Sequence, residues 1–119
     1  KYGFAFMIID DAAHSFGSRL DGKPIGHFDT ISTFSLQAIK HITSVDGGFW
    51  IPPYHELNER GRLTRWYGID REGPRADFRC ESDIPEWGFK FHMNDLCASI
   101  GMENLKHANT IVGLVELLY

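Results

Sequence analysis

Residues Tyr2 to Ile9 read YGFAFMII, an apolar run without alternation, and Asp10 and Asp11 close it. Apolar side chains on both faces suit a strand covered by layers on both sides of its sheet, as in a parallel sheet. A core helix can carry the same run, but this one is short and ends in two acids. The pattern predicts a buried strand over 2–9 with a pair of carboxylates at its carboxyl end. In open α/β sheets, ligands gather outside that edge.

The chain continues with marks of the same kind. Leu20-Asp21-Gly22-Lys23 carries the Asp-Gly pair of a two-residue hairpin. Thr30 to Leu36 (TISTFSL) is rich in β-branched and aromatic residues and predicts a second strand. Gly47-Gly48 breaks the chain before a short strand, Phe49-Trp50-Ile51, which Pro52-Pro53 ends. Tyr54 to about Trp66 is charged and weakly periodic, as a surface helix is. Gly68 to Gly88 mixes glycine, proline and charge and reads as a long loop, a length often given over to function. Asn94 is placed as a helix N-cap with Asp95 in the first turn. After it, Cys97, Ile100, Leu105, Ala108, Val112 and Val115 are expected on one apolar stripe of a single helix.

Composition removes several function classes. A formal charge of −4 argues against a nucleic-acid partner, which needs a basic face. Cys80 and Cys97 form no CxxC pair, so neither a zinc site nor a disulfide framework is expected, and a reduced, cytoplasmic setting fits. The six histidines are scattered, none at HExxH spacing, and no metal is expected. No apolar run approaches the roughly 20 residues of a membrane span. There is no GxSxG elbow, no Walker loop and no signal peptide. The ends read as cut: there is no initiating Met, and the chain stops at Glu116-Leu117-Leu118-Tyr119 inside a helical pattern. The expectation is a fragment of a longer protein.

Five features can carry chemistry, and for the acids, Lys40 and the glycine pair two readings stand. Asp10 and Asp11 can solvate the strand end or cap the next turn, or one can pair with a cationic ring nitrogen. His14, three residues on, faces the same pocket if Asp11-Ala12-Ala13-His14 forms a turn. Lys40, in FSLQAIKHI, is a surface lysine or else a desolvated, nucleophilic amine of the kind that condenses with a carbonyl. Ser35, five residues earlier, offers a hydroxyl to a phosphate oxygen. Gly47-Gly48 is a tight turn or a place where backbone approaches a cofactor.

The order of these features carries more than any one of them. The segment IIDDAAHSFGSRLDGKPIGHFDTISTFSLQAIKHITSVDGG resembles the cofactor-binding core of the DegT/DnrJ/EryC1/StrS aminotransferases. The later stretch GFKFHMNDLCASIGMENL is similar to the family's segment leading into the helix after its large loop. The resemblance implies an α/β fold: part of the large domain of a fold type I, aspartate-aminotransferase-like enzyme, mainly parallel sheet with flanking helices. Residues 1–119 would form the central and C-terminal part of that domain, running into the helix toward a missing small domain. The cofactor implied is pyridoxal 5′-phosphate. Lys40 matches the lysine that holds it, Asp11 the aspartate that pairs with its pyridine nitrogen, and His14 the position beside its ring oxygen. Ser35 matches a phosphate-binding serine. Lys90 and His92 fall in a segment that reaches the neighbouring subunit's cofactor phosphate in family homodimers. The family often has Asn and Arg there, as in GxNxR. Asp10 and Asp46 stand where Glu is common, and Tyr67-Gly68 replaces a frequent His-Gly.

The reaction that the resemblance implies is transfer of an amino group, from a donor such as glutamate, to a keto-sugar, commonly nucleotide-linked. Such a step belongs to amino-sugar and surface-polysaccharide biosynthesis, lipopolysaccharide included. Relatives that dehydrate sugars have His in place of the lysine, so Lys40 favours amino transfer. A sugar dehydratase and a non-catalytic sugar-binding relative of the same fold are the alternatives. The piece alone is expected to be inactive.

Overall fold

A computed structural model describes residues 6–74, 84 and 86–118. Cys80, the first residues of the apolar run and much of the long loop lie outside the described residues. The chain divides into two compact units, one of residues 1–53 with 93–119 and the other of residues 54–92.

In the larger unit, β1 (Ile9–Asp11) opens a three-stranded sheet. A small hairpin follows, β2 (Arg19–Leu20) and β3 (Lys23–Pro24). Its turn residues Asp21 and Gly22 both have positive φ, 51° and 76°, as the Asp-Gly pair requires. Next come β4 (Ile31–Ser35) and β5 (Gly48–Ile51). The sheet order is β1-β4-β5. β1 runs parallel to β4 with Asp11 opposite Thr33, and β4 runs antiparallel to β5 with Phe34 opposite Phe49, so the sheet is mixed.

The first strand differs from its expectation. The strand is Ile9–Asp11, so both acids lie in it and not after it. Phe6, Met7, Ile8 and Ile9 are exposed. The two covering layers that such a run suits are not supplied by the described residues. The core lies one strand over. Ser32, Phe34 and Leu36, two apart, are all buried, and Ala12 and Ile42 join them. Phe34 stacks on Phe49 at 4.8 Å, and Phe16 meets both rings edge-on at 6.1 and 6.2 Å. Each such ring buried contributes about 1.5–3 kcal/mol.

The smaller unit starts with α1 (His55–Thr64). Trp66 forms a lone antiparallel bridge with Lys90. Arg62 gathers Glu59, Asp70 and Glu72 at 3.1, 3.6 and 2.8 Å, and Arg60 forms an ion pair with Glu86. The described residues of the expected long loop, 68–74, 84 and 86–88, carry no helix or strand.

The larger unit ends in α2 (Asp95–Leu105) and α3 (Ala108–Leu118). Asn94 caps α2 as expected, accepting from Cys97 N–H at 2.9 Å. The single helix expected here is two. Lys106 and His107 donate back only three residues, to Glu103 and Asn104, and the α-helical ladder stops there. The apolar spacing held the sign of this break: the step from Ile100 to Leu105 is five, not three or four. No helix among the described residues is long and apolar enough to cross a membrane.

Two outcomes are expected. A Cβ at position 48 would lie 2.4 Å from the Phe34 carbonyl oxygen, so Gly48→Ala forces the β4–β5 backbones apart. Urea unfolding of the whole protein should show a loss of about 1–3 kcal/mol. Second, the hydrogen bond and charge of Arg60 hold the Glu86 carboxyl below its ordinary range against the opposing pull of desolvation. A depressed carboxyl stabilises the fold above its unfolded pKa, and that contribution is lost as pH falls through the folded value. NMR titration of Arg60→Gln should return Glu86 to the ordinary carboxylate range.

Candidate active site

The parallel pairing of β1 and β4 puts the carboxyl ends of both strands on one edge of the sheet. Asp11 is the last residue of β1 and Ser35 the last of β4. Beyond each strand the chain turns. After β1, Asp11 Oδ1 accepts the Ala13 N–H at 3.2 Å, and Ser15 N–H donates to the Ala12 carbonyl at 2.9 Å. That turn presents His14 three residues past Asp11. After β4, Ser35 Oγ accepts the Gln37 N–H at 3.2 Å, and Lys40 N–H closes a turn on the Gln37 carbonyl at 2.9 Å.

The two turns meet. Lys40 Nζ lies 2.8 Å from His14 Nε2, a contact between residues 26 apart in sequence. The second ring nitrogen, Nδ1, lies 3.4 Å from the same amine, so the imidazole meets Lys40 through both of its nitrogens. Lys40 is half-buried, while Asp11 and His14 are exposed. A second link lies beside the first. His41 Nε2 donates to the Phe16 carbonyl at 3.0 Å, and the two rings meet edge-on at 5.9 Å. Phe16 is anchored in turn on Phe34 and Phe49. The aromatic cluster thus fixes the turn that carries His14.

Lys40 sits in a loop tied shut at its base. Leu36 N–H donates to the Gly47 carbonyl at 2.9 Å, and the Leu36 carbonyl accepts from Ser44 N–H at 2.8 Å and Thr43 Oγ1 at 3.0 Å. Gly47 has φ 116°. Gly47 thus takes a turn conformation, and Gly48 meets a need outside both readings, the close approach of β5 to β4.

Among the sequence-predicted residues, His14 and Lys40 are in contact, and Asp11 and Ser35 end the adjacent strands. Lys90 belongs to the smaller unit, where its backbone bridges Trp66. His41 was not singled out by the sequence. Its signal was its place, next to Lys40 and among apolar residues. Among the described residues there is no group of three or more His, Cys, Asp and Glu side chains that could hold a metal.

The profile of the DegT/DnrJ/EryC1/StrS aminotransferase family matches residues 3–113. The chain belongs to this family. A relative from Shewanella sediminis, a UDP-4-amino-4-deoxy-L-arabinose–oxoglutarate aminotransferase, is 36% identical over 114 residues, 91% of this chain and 28% of that protein. The crystal structure of AtS13 from Actinomadura melliaura superposes with a TM-score of 0.82 at 43% identity, over 92% of this chain and 29% of that one. The PLP-form structure of Spr1654 from Streptococcus pneumoniae gives 0.73 at 25% identity, over 87% and 26%. A PMP form of it is also similar. The chain therefore spans under a third of the length of these relatives. The family's solved structures are those of fold type I enzymes, and the larger unit is a small α/β piece of that fold.

The residues present suit pyridoxal phosphate. Its aldehyde calls for a primary amine, its ring nitrogen for a carboxylate and its phosphate for hydrogen-bond donors. Lys40 provides the amine. Asp11 ends an exposed strand edge with a carboxylate. Ser35 Oγ already accepts from Gln37, so its own hydrogen is the donor left to offer.

The aromatic cluster predicts a measurable cost. Phe34 is 6% exposed and touches both other rings. Phe34→Ala should lower stability by about 3–5 kcal/mol in denaturant unfolding. Ile39→Ala, on an exposed side chain one residue from Lys40, should stay within about 0.5 kcal/mol.

Proposed function

We propose that residues 1–119 form the cofactor-carrying part of the large domain of a pyridoxal 5′-phosphate-dependent sugar aminotransferase. The whole protein moves an amino group from a donor such as glutamate to a nucleotide-linked keto-sugar, as a cytoplasmic homodimer, in a pathway of amino-sugar and surface-polysaccharide synthesis. The observation that supports this most is the 2.8 Å contact of Lys40 Nζ with His14, which holds the one lysine of the strand-end turns beside the edge where Asp11 ends its strand. Family membership and the substrate of the Shewanella relative support the sugar and the oxoglutarate–glutamate pair.

When bound, pyridoxal phosphate supplies an electron sink that lets a proton leave the carbon bearing the amino group. The chain's own residues do the rest. Lys40 anchors the cofactor through its amine and, once displaced by the amino donor, carries a proton from one carbon to another as a general base and acid. His14 is the side chain against which the Lys40 amine rests, and so it orients that amine at the strand edge. Asp11 holds a proton on the ring nitrogen, and its negative charge is favoured by that cationic partner. Ser35 donates its hydroxyl to the phosphate. We assign Lys90 to the phosphate of the neighbouring subunit's site, because its segment resembles the family stretch of that role.

The test is direct. The whole protein, loaded with pyridoxal phosphate and reduced with borohydride, should carry the label on Lys40. A label on another lysine, or none, overturns the assignment. Lys40→Arg should lose the label and slow amino transfer by about 10³-fold or more. Glutamate should discharge the visible band of the lysine-bound cofactor before reduction. A band that persists with every amino donor points instead to dehydration or to binding without turnover. A panel of nucleotide keto-sugars then names the acceptor.

A further inference from the structure

The loop that carries Lys40 is held from one side by helix α2, through two residues on one helical face. Gly101 is buried, and a Cβ there would stand 3.0 Å from the Ser44 Cβ. Asn104, three residues on and so on the same face, donates its Nδ2 to the Thr43 carbonyl at 2.8 Å across 61 residues of sequence. The small residue lets the helix come close, and the amide then reaches the loop backbone. Thr43 is a junction. Its carbonyl accepts from Asn104, its Oγ1 donates to the Leu36 carbonyl, and the same Oγ1 accepts the Val45 N–H at 2.9 Å.

Val45 shows why a clamp is needed. Its φ is 73°, a left-handed conformation that a β-branched residue adopts only when its surroundings force it. Val45 itself is exposed, so its own packing does not supply the force. The hydrogen bonds on Thr43 and Ser44 do. Ser44, fully buried against Gly101, donates its hydroxyl to the Asp46 carbonyl at 2.7 Å. The strained turn at 43–47 is thus locked to α2, and Lys40 lies three residues before Thr43.

We propose that Asn104 is a positioning residue for Lys40: by holding the Thr43 carbonyl it fixes the loop that keeps the Lys40 amine on His14. The inference rests on the reading of Lys40 as the cofactor lysine. Asn104 does not reach the reacting atoms. Its effect passes through the backbone from Thr43 to Lys40.

Asn104→Asp tests this with little change of shape, since it replaces the donor by an acceptor facing a carbonyl. In the whole protein, native-state hydrogen exchange without cofactor should speed at the Leu36 and Ser44 amides by about tenfold. The amides of Ala98, in the first turn of α2, and of Lys106, just past its end, should keep their rates. The pyridoxal phosphate concentration for half-maximal borohydride labelling of Lys40 should rise by about tenfold. Asn104→Gln, which keeps the donor, should recover part of both effects. Loop amides and labelling that stay at wild-type values in Asn104→Asp overturn the inference. So does faster exchange spread along α2, which marks a residue that only stabilises its helix. If the Asn104→Asp protein misfolds, Asn104→Gln and Asn104→Ser decide by the same two readouts. A wild-type protein that labels elsewhere than Lys40 overturns the functional reading and this inference with it. A wild type that labels at Lys40 beside an unaffected variant overturns the inference alone.

Discussion

The parallel pairing of Ile9–Asp11 with Ile31–Ser35 is the constraint on which the rest of the larger unit depends. Parallel strands end on the same side, so the pairing sets Asp11 and Ser35 on one edge and sends both following turns out over it. An antiparallel pair would have put the acids and the lysine turn at opposite ends of the sheet. With both turns on one edge, the contacts of Lys40 with His14 and of His41 with Phe16 join them. The antiparallel return of β5 then brings Gly48 opposite Ser35, and the loop between them has to close within twelve residues.

The stabilisation comes from a different place than the chemistry. On the sheet, Phe34 and Phe49 stack across the strands, and Phe16 caps the pair edge-on. Offset and edge-on rings of this kind contribute about 0.5–1.5 kcal/mol beyond the area they bury. The polar groups at the strand ends are tied mainly to nearby backbone: Asp11 to Ala13, Ser35 to Gln37 and Thr43 to Leu36. Such local bonds satisfy the turns without drawing the side chains into the core. The polar edge can therefore face a ligand while the aromatic side holds the sheet together.

Much of this was legible in the sequence, for reasons that are local. Asp21-Gly22 announces a turn with two positive φ values, Asn94 a cap, and TISTFSL a strand, because each depends on short-range backbone preference. The order of Asp11, His14, Ser35 and Lys40 was legible as a family pattern, and the family match bears out that recognition. What failed was set by neighbours. YGFAFMII reads as covered on both faces; its residues 6–9 are exposed here because the covering layers are not among the described residues, and burial is a property of what lies against a strand. The stripe from Cys97 to Val115 reads as one helix until the five-residue step after Ile100 is given its weight. The link from Asn104 to Thr43 joins residues 61 apart, and no local preference encodes it.

The strained turn shows how these levels connect. A left-handed valine costs about 1–3 kcal/mol, which the surroundings must supply. A glycine at 45 would remove that cost but would also free the backbone three residues from Gly48, where β5 must begin in register with Ser35. Valine, once held by Thr43, leaves the loop fewer alternatives. The strain and the register therefore belong to one arrangement: bonds on Thr43 and Ser44 force the turn, and the forced turn delivers Gly47 to the Leu36 amide and Gly48 to the Phe34 carbonyl. Lys40, inside the loop so closed, is kept in place by contacts at both of its ends and not by its own burial.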